Sequence, residues 1–126
     1  MQIADDQTAE SSLAALGAEA AQLLCAGDIP ALAARFGYAL AFDREPVAAI
    51  REDLASCLAE LQATGFAQGH KHAVTVRYFE PNDSSIFALI ECLAPTIDGP
   101  GVQLELVVTL AGTNKHVTLE QLSAAA

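Results

Sequence analysis

The feature that most constrains this chain is a change of hydrophobic period near its middle. Up to residue 64 the apolar residues recur at spacings of three and four; after Gly69 they alternate with polar ones. Every helical segment therefore precedes every strand. No helical crossover lies between strands, which excludes a parallel sheet and predicts an α+β fold: three N-terminal helices packed on one face of a curved antiparallel sheet of three to four strands. A length of 126 residues suits a single domain over residues 1–126, with residues 1–7 and 121–126 expected to fray.

In the helical half, Leu13, Leu16, Ala20, Leu23 and Leu24 fall on one stripe of a helix that starts near Thr8 and closes at Gly27. Asp28 suits the N-cap of a short second helix, with Pro30 in its first turn and Gly37 at its end. Tyr38 to Phe42 reads either as an extra helical turn or as a linker over the core. Asp43 is the expected N-cap of a third helix, whose apolar face is Val47, Ile50, Leu54, Cys57, Leu58 and Leu61 and whose end is Thr64-Gly65.

In the alternating half, His72, Val74, Val76 and Tyr78 share one face of a first strand, opposite Thr75, Arg77 and Phe79. Pro81-Asn82-Asp83-Ser84 predicts a turn, and a strand follows from Ser85 to about Leu93. Asp98-Gly99-Pro100-Gly101 predicts the next turn. Val102, Leu104, Leu106, Val108 and Leu110 then form the most regular apolar row, which the helices must cover to avoid a large exposed patch. His116 to Leu119 is a candidate short fourth strand.

The opposite sheet face carries Arg77, Phe79, Phe87, Leu89, Glu91, Glu105 and Val107, with Arg77 and Glu91 a candidate cross-strand pair. A face of this mixed kind fits the interface of a homodimer, since isologous dimers are the commonest soluble oligomers. It also fits a one-sided sheet with ordinary exposed hydrophobes.

Charge excludes some partners. Sixteen acidic residues against six basic ones give a net charge of −10, which repels phosphate backbones and anionic lipid, so neither nucleic acid nor a membrane surface is an expected partner. Residues 1–60 hold ten acids and three bases, net −7. The longest apolar stretches fall short of the roughly 20 residues of a membrane span, the acidic start is unlike a secretory signal, and three cysteines without a CxxC spacing suit a reducing cytoplasm.

Chemistry-bearing motifs are few. His70 and His72 form an HxH that would place two imidazoles on one side of a strand, but the third ligand of a metal site is not nominated; His116, Glu80 and the cysteines are the only candidates. The histidines read better as residues at a strand entrance, and no metal or cofactor is expected. There is no GxSxG, phosphate-cradling glycine loop or HExxH, and Cys57 and Cys92 have the parity of core residues. Asp43, Arg44 and Glu45 read as helix-terminal charges, and Arg35 and Arg44 as members of solvated ion pairs rather than anion ligands. Phe36, Tyr38, Phe42, Phe66, His72 and Tyr78 are candidates to line a pocket for a small apolar ligand between helices and sheet; otherwise the aromatics fill the core.

The order of helix, "AGDIPALAARFGYAL", the long helix "EPVAAIREDLASCLAEL" and an alternating sheet resembles the nuclear-transport-factor-two-like superfamily, the cone-shaped cystatin-like fold that includes SnoaL-like proteins. The resemblance covers residues 8–120 and rests on Gly27-Asp28 and on that order of elements. It implies an internal pocket, dimerisation across the sheet, and members that range from isomerases to non-catalytic binding modules. Enzymes of that superfamily place an Asp/His or Asp/Tyr pair in the pocket; no Asp falls in a predicted strand here, so no such pair is carried to any residue. Three functions are then expected in order: a non-catalytic ligand-binding or protein-interaction domain; a SnoaL-like isomerase or hydrolase using Tyr38, Tyr78 or His72; an acidic immunity-type inhibitor of a basic partner.

Overall fold

A computed structural model describes residues 1–67, 72–81, 83, 85–97, 99–112 and 114–125, excluding the side chains of Asp5 and Ala111. Its elements in chain order are β1 (Gln2–Ile3), a 3-10 turn at Asp5–Gln7, α1 (Glu10–Cys25), α2 (Ile29–Phe36), a second 3-10 turn at Ala39–Ala41, α3 (Pro46–Leu61), β2 (Ala73–Tyr78), β3 (Ile86–Thr96), β4 (Gly99–Ala111) and β5 (Asn114–Ala124). The strands form one antiparallel sheet of order β1-β5-β4-β3-β2, and the three helices pack on one face of it. The α+β fold read from the change of period is the fold observed, with five strands instead of three to four. No described helix is long and apolar enough to cross a membrane.

The helices start and stop where local chemistry dictates. Gly27, at φ 74°, turns the chain out of α1, and the Asp28 carboxylate accepts the Ala31 N–H to open α2. Arg35 then straps α2 to α1 through Glu19, with nitrogen–oxygen distances of 2.7–3.0 Å. The stretch after Gly37 is a 3-10 turn and not a continuation of α2. The cap of α3 is Glu45, not Asp43: its carboxylate accepts from the N–H groups of Val47 and Ala48, and Pro46 sits at the first helical position. The helix ends at Gln62 in the left-handed conformation, before Thr64-Gly65.

The described residues at both ends of the chain pair into the sheet, where fraying was expected at residues 1–7 and 121–126; Ala126 lies outside the described residues. Gln2 pairs with His116 and Ile3 with Lys115, the Met1 amino group donates to the Val117 carbonyl, and the buried Ile3 joins the core. β1 thereby covers part of the β5 edge, which would otherwise offer unpaired backbone groups. β5 runs on to Ala124, and a bulge opposite Glu105/Leu106 inserts an extra residue. The bulge flips the parity, so Val117 and Leu119 before it and Leu122 after it all face the core.

A second bulge explains another difference. Thr96 pairs with Gly99, so Gly99-Pro100-Gly101 belongs to β4 instead of forming the turn, and Pro95 sits at a register shift between Ala94 and Thr96. Proline is tolerated there because the ladder is already interrupted. Gly101, at φ 120°, brings its backbone so close to β3 that a Cβ would lie 2.7 Å from the Ala94 carbonyl oxygen.

The inner face of the sheet is closed. Ala88, Ile90, Cys92, Ala94, Val102, Leu104, Leu106 and Val108 meet Leu13, Ala20, Leu24, Leu32, Phe36 and Ile50 from the helices in one cluster. Truncating one of the large members, such as Leu106, to alanine is the kind of change that costs about 2–5 kcal/mol. The space between helices and sheet is filled by these side chains.

Candidate functional site

The pocket expected from the aromatic residues is not assembled. Phe36 is buried in the core, while Phe42 stands 81% exposed at φ 54°, turned away by the connector it lies in. Tyr38 is buried and donates to Asp53 at 2.5 Å. Tyr78 is exposed at the end of β2 and donates to the Thr8 carbonyl. His72 is half-buried, and its shielded Nδ1 has no hydrogen-bond partner among the described residues. Clefts of about 260, 330, 350 and 480 Å³ lie on the surface among the described residues, and of the six candidates Phe66 lines one of these. His70 lies outside the described residues, and among those described no group of three His, Cys, Asp or Glu residues could hold a metal ion.

Acid–base chemistry is not prepared at Asp53, a carboxylate on the wall of a cleft. Asp53 borders a cleft of about 480 Å³ with Ser56, Cys57, Glu60 and Leu122. Its oxygens are taken by Tyr38 and by Arg44, which donates at 3.0 and 3.3 Å, and the Arg44 hydrogen bonds hold its carboxyl below the usual carboxylate range. Burial, with the Asp53 charge, pushes the Tyr38 phenol well above its ordinary value. A carboxylate so stabilised is a poor base. Burial also raises the thiols of Cys25 and Cys57 and pushes Cys92 up to about 12, which favours the thiol form over the nucleophilic thiolate in all three.

The outer face of the sheet holds the other set of sequence candidates, and the register orders them in rows. One row runs Arg77, Leu89, Val107, Thr118; the next Thr75, Glu91, Glu105, Gln121; the third Ala73, Leu93, Gln103, Ser123. Val107 is only 8% exposed yet lies apart from the core cluster beneath the helices. Arg77 sits opposite Leu89 instead of Glu91, and its guanidinium lies 5.3 Å from the centre of the Phe79 ring. Glu91 faces Glu105 directly and accepts a hydrogen bond from Gln103 at 2.7 Å. Burial, together with the charges of Glu91 and Glu120, raises the Glu105 carboxyl. The face is thus acidic across its middle.

Phe87 leaves this face. The register shift between Ile86 and Ala88 breaks the alternation, and its ring packs edge-on against Tyr78 at 5.7 Å with the Lys115 ammonium 4.9 Å from its centre. Phe79, Pro81, Ile86, Phe87, Leu110 and Lys115 surround a cleft of about 330 Å³ at that end of the sheet. Nothing in the sequence marks the bulge, so the alternation alone misplaces Phe87.

Comparison with family models, with curated proteins and with solved structures finds no match to this chain.

Proposed function

We propose that this protein is a non-catalytic interaction domain that associates with a second copy of itself through the outer sheet face. The observation that carries the reading is the asymmetry of covering: all three helices pack against the inner face, while among the described residues no element packs over Leu89, Leu93 and Val107. Charge complementarity favours a second copy as the occupant. Arg77 lies one row from the Glu91–Glu105 pair with Leu89 and Val107 beside it, so a two-fold axis near Leu89 turns the Arg77 of each copy toward the acidic row of the other. A cone-like member of the nuclear-transport-factor-two-like superfamily that binds without catalysis is consistent with this arrangement.

Sedimentation equilibrium of the full chain at micromolar concentration tests it. A dimer is expected for the wild type and a monomer for Leu89→Glu, which places a charge in the apolar row. Phe42→Ser, which removes the most exposed aromatic on the helical side, should leave the dimer intact. A monomeric wild type, or a Leu89→Glu dimer as strong as the wild type, refutes the reading.

A further inference from the structure

Arg51 differs from the other described arginines. Arg35 is paired with Glu19, Arg44 with Glu52 and Asp53, and Arg77 lies over Phe79. Among the described residues Arg51 meets neither a carboxylate nor a ring, although the chain carries sixteen acids. The cause is its place in α3: the residues three and four positions away are Val47, Ala48, Leu54 and Ala55, so its own helix offers no acid at contact spacing.

This cation stands on a cleft of about 350 Å³ walled by Leu24, Cys25, Ile29, Leu54, Leu58 and Phe66. The end of α1 and start of α2 form one side and α3 the other, with Phe66 held in place by its bridge to Thr96 on β3. The cleft belongs to the helical layer, distinct from the filled space between helices and sheet and from the outer sheet face. Its volume is in the range of small-molecule sites. An apolar trough with a single unpaired guanidinium is complementary to an amphiphile with one negative group.

We propose that the cleft binds a medium-chain monocarboxylate, its acyl chain against Leu24, Leu54, Leu58 and Phe66 and its carboxylate on the Arg51 fork. The planar, two-pronged guanidinium matches a carboxylate in geometry. A multiply charged head group is disfavoured, because residues 1–60 carry a net charge of −7 and, among the described residues, one cation lines the cleft. A neutral chain would bury the apolar wall but leave Arg51 unmatched.

Isothermal titration of the full chain with sodium decanoate tests the proposal, and alkylation of Cys25 by N-ethylmaleimide locates the site, since this half-buried thiol lies in the cleft wall. Saturable one-to-one binding is expected, with slower alkylation of Cys25 when decanoate is present. Arg51→Gln should weaken binding about tenfold, the loss of one charge-assisted contact. Ala55→Trp should abolish binding by filling the cleft from an exposed position that leaves the core undisturbed, and circular dichroism checks its fold. No saturable binding below about 1 mM, unchanged alkylation of Cys25, or wild-type affinity in both variants overturns the proposal. The outcome is independent of self-association, which the Leu89→Glu variant removes without touching the cleft.

Discussion

At the scale of single residues, Asp53 ties the connector between α2 and α3 to the body of the protein. Tyr38 and Arg44 reach it from either end of that connector, and Arg44 also donates to the carbonyls of Leu40 and Ala41, closing the 3-10 turn. Because its folded pKa is depressed, Asp53 contributes stability that is present above its unfolded value and lost as the pH falls through the folded one. Asp53→Asn should therefore cost about 1–2 kcal/mol near neutrality and little in acid, a difference read by urea denaturation at the two pH values. Glu105 has the opposite sign. Its raised carboxyl adds stability below the unfolded pKa that is lost as pH rises through the folded value, since ionisation sets it against Glu91 and Glu120. In the Leu89→Glu background, chosen to remove the proposed self-association, Glu105→Gln should raise the neutral-pH stability by up to about 1 kcal/mol. None of these partners is adjacent in sequence. Tyr38 is a candidate from its type alone, but its engagement with Asp53 follows from the way the connector folds back on α3.

At the scale of elements, the approach of α1 to the sheet is set by Gly17. A Cβ there would lie 2.8 Å from Ile90 Cγ2 and 3.0 Å from Val74 Cγ1, so the helix backbone rests directly on β2 and β3. Gly17→Val should destabilise the fold by about 1–3 kcal/mol through overpacking, seen as a lower urea midpoint with an unchanged slope. Gly17 lies inside an apolar helical stripe, next to Leu16, and nothing in that spacing distinguishes a contact glycine from a weak helix former. The helices themselves were legible, because a 3.6-residue period and the capping chemistry of Gly27 and Asp28 are local. The strands were legible in place but not in length. Alternation stops being readable at a bulge, so β3 extends past Leu93 through Pro95, β4 absorbs Gly99-Pro100-Gly101, and β5 grows from four residues to eleven. The N-terminal residues gain order only from a partner more than a hundred positions away.

At the scale of the whole molecule, the chain carries a charge of −10, so in the proposed dimer two copies would repel at long range while Arg77 and the Glu91–Glu105 row would attract at short range. Screening acts first on the long-range part. The proposed dimer should therefore tighten as salt is raised from low to physiological strength, in sedimentation at matched protein concentration, and a dimer that loosens over that range would indicate that local ion pairs dominate. The amino-acid sequence by itself determined the class of fold, the face that is buried and the charge of the helical layer, because periodicity, capping and composition are properties of neighbouring residues. Tertiary structure alone decided that Phe42 and Tyr78 stand apart from Tyr38, that Phe87 leaves the outer face, that Glu91 meets Glu105, and that Arg51 stands on an apolar cleft unmatched among the described residues. These depend on register, bulges and helix approach, which arise from contacts between distant segments and leave no periodic mark on the chain.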